Sequence, residues 1–345
     1  MSYQNKRQTK NKILLDILKD IDLNKISNKE AAFFNKKKIL ITGVSGLIGI
    51  NLLFFFYKLT KEKKILIKID GIFNTSIFQF VKSFFRSNKN ISFKKIDLTK
   101  TKISKKKKYD FIFHCAGYGQ PAKFLKFRSS TYKLNSLSII NLRNNLNKKG
   151  KFVYMSSTEI YSGNENLCTE KSIGATTTLH PRSSYIESKK FGESYIINTL
   201  NNFLIYRVCL TYGPGAKLND ERILNLLLIR AIKNRQIDIY GGLNQLRSNL
   251  YIGDAIKMII KSTVKYKNQI FNINNHKMTT LGQMVKIIAK LSKKKIRKQK
   301  SFLKGAPSII KISNKKILFS TNYKISTKLE DGLIKTYQWY LNLIS

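Results

Sequence analysis

Tyr185 stands four residues before Lys189 in the segment Pro181-Arg182-Ser183-Ser184-Tyr185-Ile186-Glu187-Ser188-Lys189. On a helix, positions i and i+4 share a face, one turn apart. An ammonium beside a phenol favours the phenolate, so this spacing can make Tyr185 a base toward a sugar or alcohol hydroxyl. Taken alone, the pair fits two residues of a half-exposed helix equally well.

A second group of residues points to a ligand. Lys38-Ile39-Leu40-Ile41-Thr42 reads as a short buried strand, and Gly43-Val44-Ser45-Gly46-Leu47-Ile48-Gly49 follows it, opening an apolar helix through Tyr57. Glycines at a strand-to-helix turn let the backbone approach a pyrophosphate, whose charge the helix N-terminus favours. Asp70 follows Gly49 by about 20 residues and is expected at the end of the second strand, where a carboxylate accepts from a ribose diol and favours NAD over NADP. Asp97-Leu98 either flanks an adenine or forms an ordinary turn.

The elements needed to position these residues can be read along the chain. Ile65–Ile69, Ile91–Ile96, Phe111–Ala116 and Lys151–Ser156 read as further strands, with helices between them, one over Leu134–Leu146. Strands alternating with helices predict an α/β fold, a Rossmann-type doubly wound parallel sheet covered on both faces. The expected organisation is a helical leader over 1–36 with an amphipathic helix near Lys12–Leu23, and a dinucleotide-binding domain over 37–205. A smaller, mixed substrate-binding lobe over 206–345 is interleaved with it. His114 ends a buried strand and is expected to be packed and hydrogen-bonded, Tyr161 to shape a pocket wall, and Asn135 to order nearby backbone.

Bulk properties narrow the class. The 345 residues, 42% apolar, suffice for a substantial core. No apolar run reaches the roughly 18 residues needed to cross a bilayer. The polar start, Met1 to Lys12, lacks an apolar segment with a cleavage site. Cys115, Cys168 and Cys209 have no metal-ligand spacing, so no metal is expected and a reduced, cytoplasmic protein fits best. The formal charge of +46 invites a nucleic-acid reading. The basic residues, however, run from end to end, and the densest stretches, Lys105–Lys108 and Lys293–Lys300, are expected to be solvated loops. Such a field should still attract anionic ligands.

Together these residues resemble the extended short-chain dehydrogenase/reductases, the NAD-dependent epimerases, dehydratases and decarboxylases of nucleotide sugars. The resemblance covers roughly residues 37 to 342. It rests on Gly43/Gly46/Gly49, Ser156-Ser157-Thr158-Glu159-Ile160-Tyr161, Tyr185/Lys189, Arg207 through Gly215, Asn219-Asp220-Glu221-Arg222, Tyr240-Gly241-Gly242, Gln245-Leu246-Arg247 and Tyr251-Ile252-Gly253-Asp254. Pro181-Arg182-x-x-Tyr185-x-Glu187-x-Lys189, Ser157-Thr158-Glu159 and Asn219-Asp220-x-Arg222 are similar to the UDP-glucuronate decarboxylase branch. Thr158 stands where glucose dehydratases carry an aspartic acid. The loop His114 to Phe124, Ser162 and Gly215 depart from the decarboxylase pattern and put the exact sugar in doubt.

The resemblance implies that Tyr185 takes the proton of the sugar 4-hydroxyl while NAD accepts hydride from C4, with Lys189 and Ser157 as its partners. The resulting 4-ketone then permits loss of carbon dioxide from a C5 carboxylate. With a hydroxymethyl at C5, Glu159 would instead remove the C5 proton and water would leave. The implied cofactor set is Gly43, Gly46, Gly49, Leu47, Ile48, Asp70, Asp97, Leu98, Ala116 and Lys189. Thr158, Arg182, Arg222, Arg247 and Tyr240 would hold the substrate, the arginines Arg222 and Arg247 on its diphosphate. Relatives commonly pair through two helices from each copy, so a homodimer is expected. A 4,6-dehydratase, a 4-epimerase and a non-enzymatic or RNA-associated protein of the same fold are the alternatives.

Overall fold

Lys37–Thr42 (β1) buries Ile39, Leu40, Ile41 and Thr42 completely, as a strand covered on both faces must. The computed structural model describes residues 3–24, 26–240, 242–299 and 310–344. β1 pairs in parallel with Ile67–Phe73 (β2) on one side and with Tyr109–His114 (β4) on the other. Ile91–Lys95 (β3) adds beyond β2, while Leu146–Ser157 (β5), Phe203–Val208 (β6) and Gln269–Ile273 (β7) extend the other side. The order β7-β6-β5-β4-β1-β2-β3 reverses direction between β1 and β4. A crevice opens at such a switch point, outside the carboxyl ends of the strands.

Alternate residues feed opposite faces of this sheet. Ile39, Ile41, Phe111, Phe113, Val153 and Leu204 enter one apolar cluster; Leu40, Ile112, Phe152, Tyr154 and Ile205 enter the other. The first face is covered by Leu47–Glu62 (α2), apolar nearly all round, with Ile50, Leu52, Leu53, Phe54, Phe55, Phe56 and Leu59 fully buried. Each such burial contributes roughly 1.5–3 kcal/mol relative to exposure. The second face carries Arg128–Asn135 (α4), Leu137–Arg143 (α5) and Ser183–Thr199 (α6), preceded by the short helix Pro121–Lys126 (α3).

Several boundaries differ from expectation. The helix expected over 134–146 is two, divided at Ser136 (φ −128°, ψ −77°), and β5 begins at Leu146 rather than Lys151. The second strand runs on through Gly71 to Phe73, so Asp70 does not end it. The lysine run from 293 is only partly a loop: Lys295–Gln299 pairs in parallel with Gln236–Tyr240, and charged residues on so short a strand discourage pairing with other chains.

The leader is built into the fold. Tyr3–Lys19 (α1) starts and stops earlier than expected and buries Leu14 and Leu18. It packs on α2 and on the C-terminal helix Leu329–Ile344 (α9). Lys58 of α2 donates to the Ile21 carbonyl, and Lys335 of α9 pairs with Asp20 at 2.9 Å. Lys257 and Lys261 of Ile252–Lys265 (α8) pair with Asp22 and Glu30. No helix among the described residues is long and apolar enough to cross a membrane.

Candidate active site

β5 delivers Ser156 and Ser157 at its carboxyl end, and a 3₁₀ turn over Thr158–Tyr161 follows. The Ser157 hydroxyl caps this turn by accepting from the Glu159 amide at 3.2 Å. α6 lies alongside, beginning just after Arg182 and carrying Tyr185 in its first turn. Ser157, Thr158, Glu159, Arg182, Tyr185 and Lys189 are thereby brought together. The Ser157 hydroxyl lies close enough to the Tyr185 phenol to favour its ionised form. Arg182 Nη1 donates to Glu159 Oε1 at 2.8 Å, while the buried Glu159 Oε2 has no partner. Burial raises the Glu159 carboxyl above its ordinary range, against the pull of Arg182.

Tyr185 holds its proton firmly here. Burial and the Glu159 carboxylate raise its pKa, opposed by Ser157, Arg222 and Arg182. Lys189 lies one turn further along α6. Burial brings its own pKa down to about 7, against the Glu193 and Cys115 side chains. Its Nζ donates to the Met155 carbonyl at 2.7 Å and lies 4.7 Å from the Tyr154 ring centroid but 5.9 Å from that of Tyr185. Ser157, expected as a partner of the phenol, loosens its proton here together with the Arg222 and Arg182 guanidiniums.

Two supports were not legible in the motifs. Phe124, in the divergent loop after β4, lies flat on Tyr185, ring centroids 4.5 Å apart with 11° between planes. One turn beyond Lys189, Glu193 binds Ser156 Oγ and takes a bidentate grip from Arg207, whose Nη2 lies 2.7 Å from Glu193 Oε2. Arg207 Nη1 also donates to Tyr161 Oη at 2.6 Å, so Tyr161 belongs to a buried network.

The other arginines approach from the C-terminal segment. Arg222 precedes Ile223–Lys233 (α7) and clasps Asp220, Nε to Oδ1 at 2.9 Å and Nη2 to Oδ2 at 2.5 Å. Burial works against the Asp220 charge, yet the guanidinium outweighs it and holds the carboxyl below its usual range. Arg247 donates to Gln245 Oε1 at 2.8 Å, and burial together with the charge of Arg182 lowers its pKa. Two guanidiniums that repel each other make a place for an anion. Asn225 of α7 was not anticipated; it stands close enough to Asp220 to favour its charge and keeps a buried, unpartnered Oδ1. Tyr240 ends the strand Gln236–Tyr240, and its side chain, like Gly241, lies outside the described residues.

The glycine turn fits a dinucleotide. Gly43 adopts φ +66°, and a Cβ there would fall 2.7 Å from the Ala116 nitrogen; one on Gly49 would fall 2.3 Å from the Gly43 carbonyl oxygen. Gly46 precedes α2 in extended conformation, and Leu47 and Ile48 form its first turn, so free amides point at the crevice. At Gly117 the Lys189 ammonium and the unpartnered Asn135 Oδ1 converge, both within 3.6 Å of where a Cβ would stand. That is a polar niche at the Tyr185 end of the crevice. His114 lies below in the core, Nδ1 2.7 Å from Thr42 Oγ1 and Nε2 3.2 Å from the Leu134 carbonyl. Burial and Lys189 push its pKa down to about 3, so it stays neutral.

Leu98 is buried in the second apolar cluster, against which Ala116 and Tyr118 also pack. Asp70 is tied to Ser92 Oγ at 2.5 Å, Tyr109 Oη at 2.7 Å and Lys107 Nζ at 3.2 Å. Burial opposes its charge, but these partners keep its carboxyl below the ordinary range.

The comparisons agree with this geometry. UDP-glucuronic acid decarboxylase 1 of Xenopus tropicalis is 24% identical over 339 residues, spanning 92% of this chain and 78% of that protein. dTDP-D-glucose 4,6-dehydratase of Dictyostelium discoideum is 26% identical over 269 residues, 72% of this chain and 60% of its own length. The solved UDP-glucuronic acid 4-epimerase of Bacillus cereus, in complex with UDP-glucuronic acid and NAD, superposes with a TM-score of 0.72 at 23% identity. It covers 89% of this chain and 99% of its own. The description "NAD dependent epimerase/dehydratase family" matches residues 39–274. The Rossmann sheet, the glycine turn and the Ser157/Tyr185/Lys189 constellation thus place this chain in the NAD-dependent epimerase/dehydratase family.

Proposed function

We propose that the protein is an NAD-dependent nucleotide-sugar enzyme working through a 4-keto intermediate, and that its reaction is decarboxylation of UDP-glucuronate to UDP-xylose or a 4-keto pentose. The observation that carries this is the setting of the Tyr185/Ser157 pair. Arg182 stands beside the Tyr185 phenol, which suits a sugar bearing its own carboxylate. Thr158, beside Glu159, offers no carboxylic acid to protonate a departing hydroxyl. The Xenopus relative bears the decarboxylase name over nearly the whole chain.

The glycine turn of Gly43, Gly46 and Gly49 would hold NAD, which would supply the acceptor for the C4 hydride and, where UDP-xylose is the product, its donor again. The chain's own residues do the rest. Tyr185 takes the 4-hydroxyl proton in its phenolate form, which Ser157, Arg222 and Arg182 favour against burial; Ser157 holds the same oxygen, and Lys189 faces the niche at Gly117. Arg222 and Arg247 bind the diphosphate. The ketone at C4 stabilises the electrons left at C5 when carbon dioxide departs.

A second reading, a 4,6-dehydratase, is favoured by the unpartnered Glu159 Oε2 and raised carboxyl pKa, which suit a C5 base. The test is incubation with NAD and UDP-glucuronate, the products followed by mass spectrometry. A UDP-pentose formed by loss of carbon dioxide, and absent with Tyr185→Phe, is expected. Unchanged UDP-glucuronate together with loss of water from dTDP-glucose would replace this reading with the second.

The protein is further proposed to pair with a second copy. α4 and α6 pack side by side and leave Tyr132 and Phe191 44% and 46% exposed, an apolar face suited to the same helices of a partner. Sedimentation should give a dimer that Phe191→Asp splits; a wild-type monomer would overturn this.

A further inference from the structure

The second strand of a dinucleotide fold presents, at its carboxyl end, the side chain that meets the adenosine ribose. A carboxylate there accepts from both hydroxyls and repels a 2′-phosphate. In this chain Asn74 occupies that end. The Val44 amide donates to the Ile72 carbonyl at 3.0 Å, and the Ile96 amide to the Phe73 carbonyl at 2.9 Å. The glycine turn, Asn74 and Asp97 therefore meet at one corner of the sheet. Asp70 lies three residues before the strand's last residue, about 10 Å further down at a strand's rise per residue. Its carboxylate is already bonded to Ser92, Lys107 and Tyr109.

The charge at the corner is different from what a ribose-binding aspartate would give. Asp97 Oδ1 accepts from the Thr99 amide at 2.9 Å and hydroxyl at 2.7 Å, and the Asn74 side chain stands close enough to favour the Asp97 charge. Asp97 keeps its charge, and Lys100 stands nearby to offset it. From across the crevice Lys217 Nζ donates to the Ser76 carbonyl, two residues past Asn74, at 2.5 Å. Lys123 is close enough for its charge to bear on Lys217. With Lys100 offsetting the Asp97 charge, and Lys217 and Lys123 beside the loop after β2, the corner is neutral to cationic where an unopposed acidic residue would exclude phosphate.

We propose that Asn74, steadied by Asp97, reads the adenosine ribose in place of Asp70, and that the pocket accordingly admits a 2′-phosphate, so the chain binds NADP as well as NAD. An amide oriented by Asp97 can accept from a ribose hydroxyl without repelling a phosphate. The inference rests on the family's use of the dinucleotide and is independent of which sugar is converted.

Calorimetric titration of the purified full chain with NAD and with NADP, no sugar present, tests it. NADP should bind within about tenfold of NAD. Asn74→Asp should weaken NADP by about tenfold or more while NAD holds, because a carboxylate then faces the phosphate. Asp70→Asn should leave the NADP-to-NAD ratio within about twofold. Rejection of NADP by the wild-type chain by about a hundredfold would overturn the proposal, as would a ratio that Asp70→Asn alone collapses. Should Asp70→Asn fail to fold, as judged by circular dichroism, the wild-type and Asn74→Asp titrations decide alone. Failure of UDP-glucuronate turnover leaves these binding ratios unaffected.

Discussion

The phenol of Tyr185 lies parallel to the ring of Phe124, 4.5 Å between centroids, and Arg182 sits over the other aromatic at 5.8 Å. Tyr185 is thus held in place by a residue from a different loop, one turn into α3. Aromatic pairs of this kind contribute about 0.5–1.5 kcal/mol beyond their buried area. Phe124→Leu keeps the volume nearly filled but removes the flat surface. Its expected effect is a small fall in melting temperature and a roughly ten- to hundredfold loss of turnover from misorientation. Steady-state kinetics beside a melting curve checks this; unchanged turnover in a folded variant would remove Phe124 from the site.

Lys189 makes stability depend on pH in a definite direction. Burial brings its pKa from 10.5 to about 7. Between those values the unfolded chain binds the proton and the folded chain does not, so stability from this group rises with pH across that window. Below about 7 both states are protonated and the full cost of the buried charge is present. Lys189→Met removes that cost. The melting temperature of the variant, relative to wild type, should therefore be highest near pH 6 and fall toward about pH 10. Scanning calorimetry across that range reads it directly, and an equal difference at both ends would contradict it.

Much of this was visible before any coordinates. Ile39-Leu40-Ile41 and Phe111-Ile112-Phe113 are runs that only a doubly covered strand requires, and the glycine turn between strand and helix is a local signal. What escaped was set by packing. Gly71 reads as the end of a strand, yet the space where its Cβ would stand is filled by Phe93 and Val44 at about 3 Å, and β2 runs on past it. That single continuation moves Asp70 away from the crevice and leaves Asn74 there. Phe124, Asn225 and the Glu193–Arg207 pair come from segments far apart in the chain, and no spacing rule connects them.

The Glu193–Arg207 pair is buried at both ends, with side chains 6% and 9% exposed. Removing one partner leaves a charge without its counterion in an apolar setting, at a cost of about 3–5 kcal/mol. Glu193→Gln should therefore be strongly destabilising. A double variant, Glu193→Leu with Arg207→Met, should recover much of that loss, since two desolvation penalties vanish together. Urea denaturation of the two single variants and the double variant closes the cycle. Additive losses would mean that the two side chains act independently.

Glu159 separates the two chemistries open to this site. Its Oε1 is paired with Arg182, and Oε2 is buried without a partner. Decarboxylation needs no base at C5, because the electrons remaining there come from the bond to the departing carbon dioxide. Dehydration needs one, and a positioned base is worth about 10²–10⁴ in rate. Glu159→Gln keeps the shape and the hydrogen bond to Arg182 while removing the basicity. In a decarboxylase it should lower turnover of UDP-glucuronate by less than about tenfold, chiefly through a looser Arg182. The acidic limb of the pH profile should also stay in place, because no step of the decarboxylation uses the Glu159 carboxylate as a base. A fall in turnover by a factor near 10³, with the substrate still bound, would show a proton being taken by Glu159. That outcome would shift the assignment to a dehydratase acting on a sugar without the C5 carboxylate.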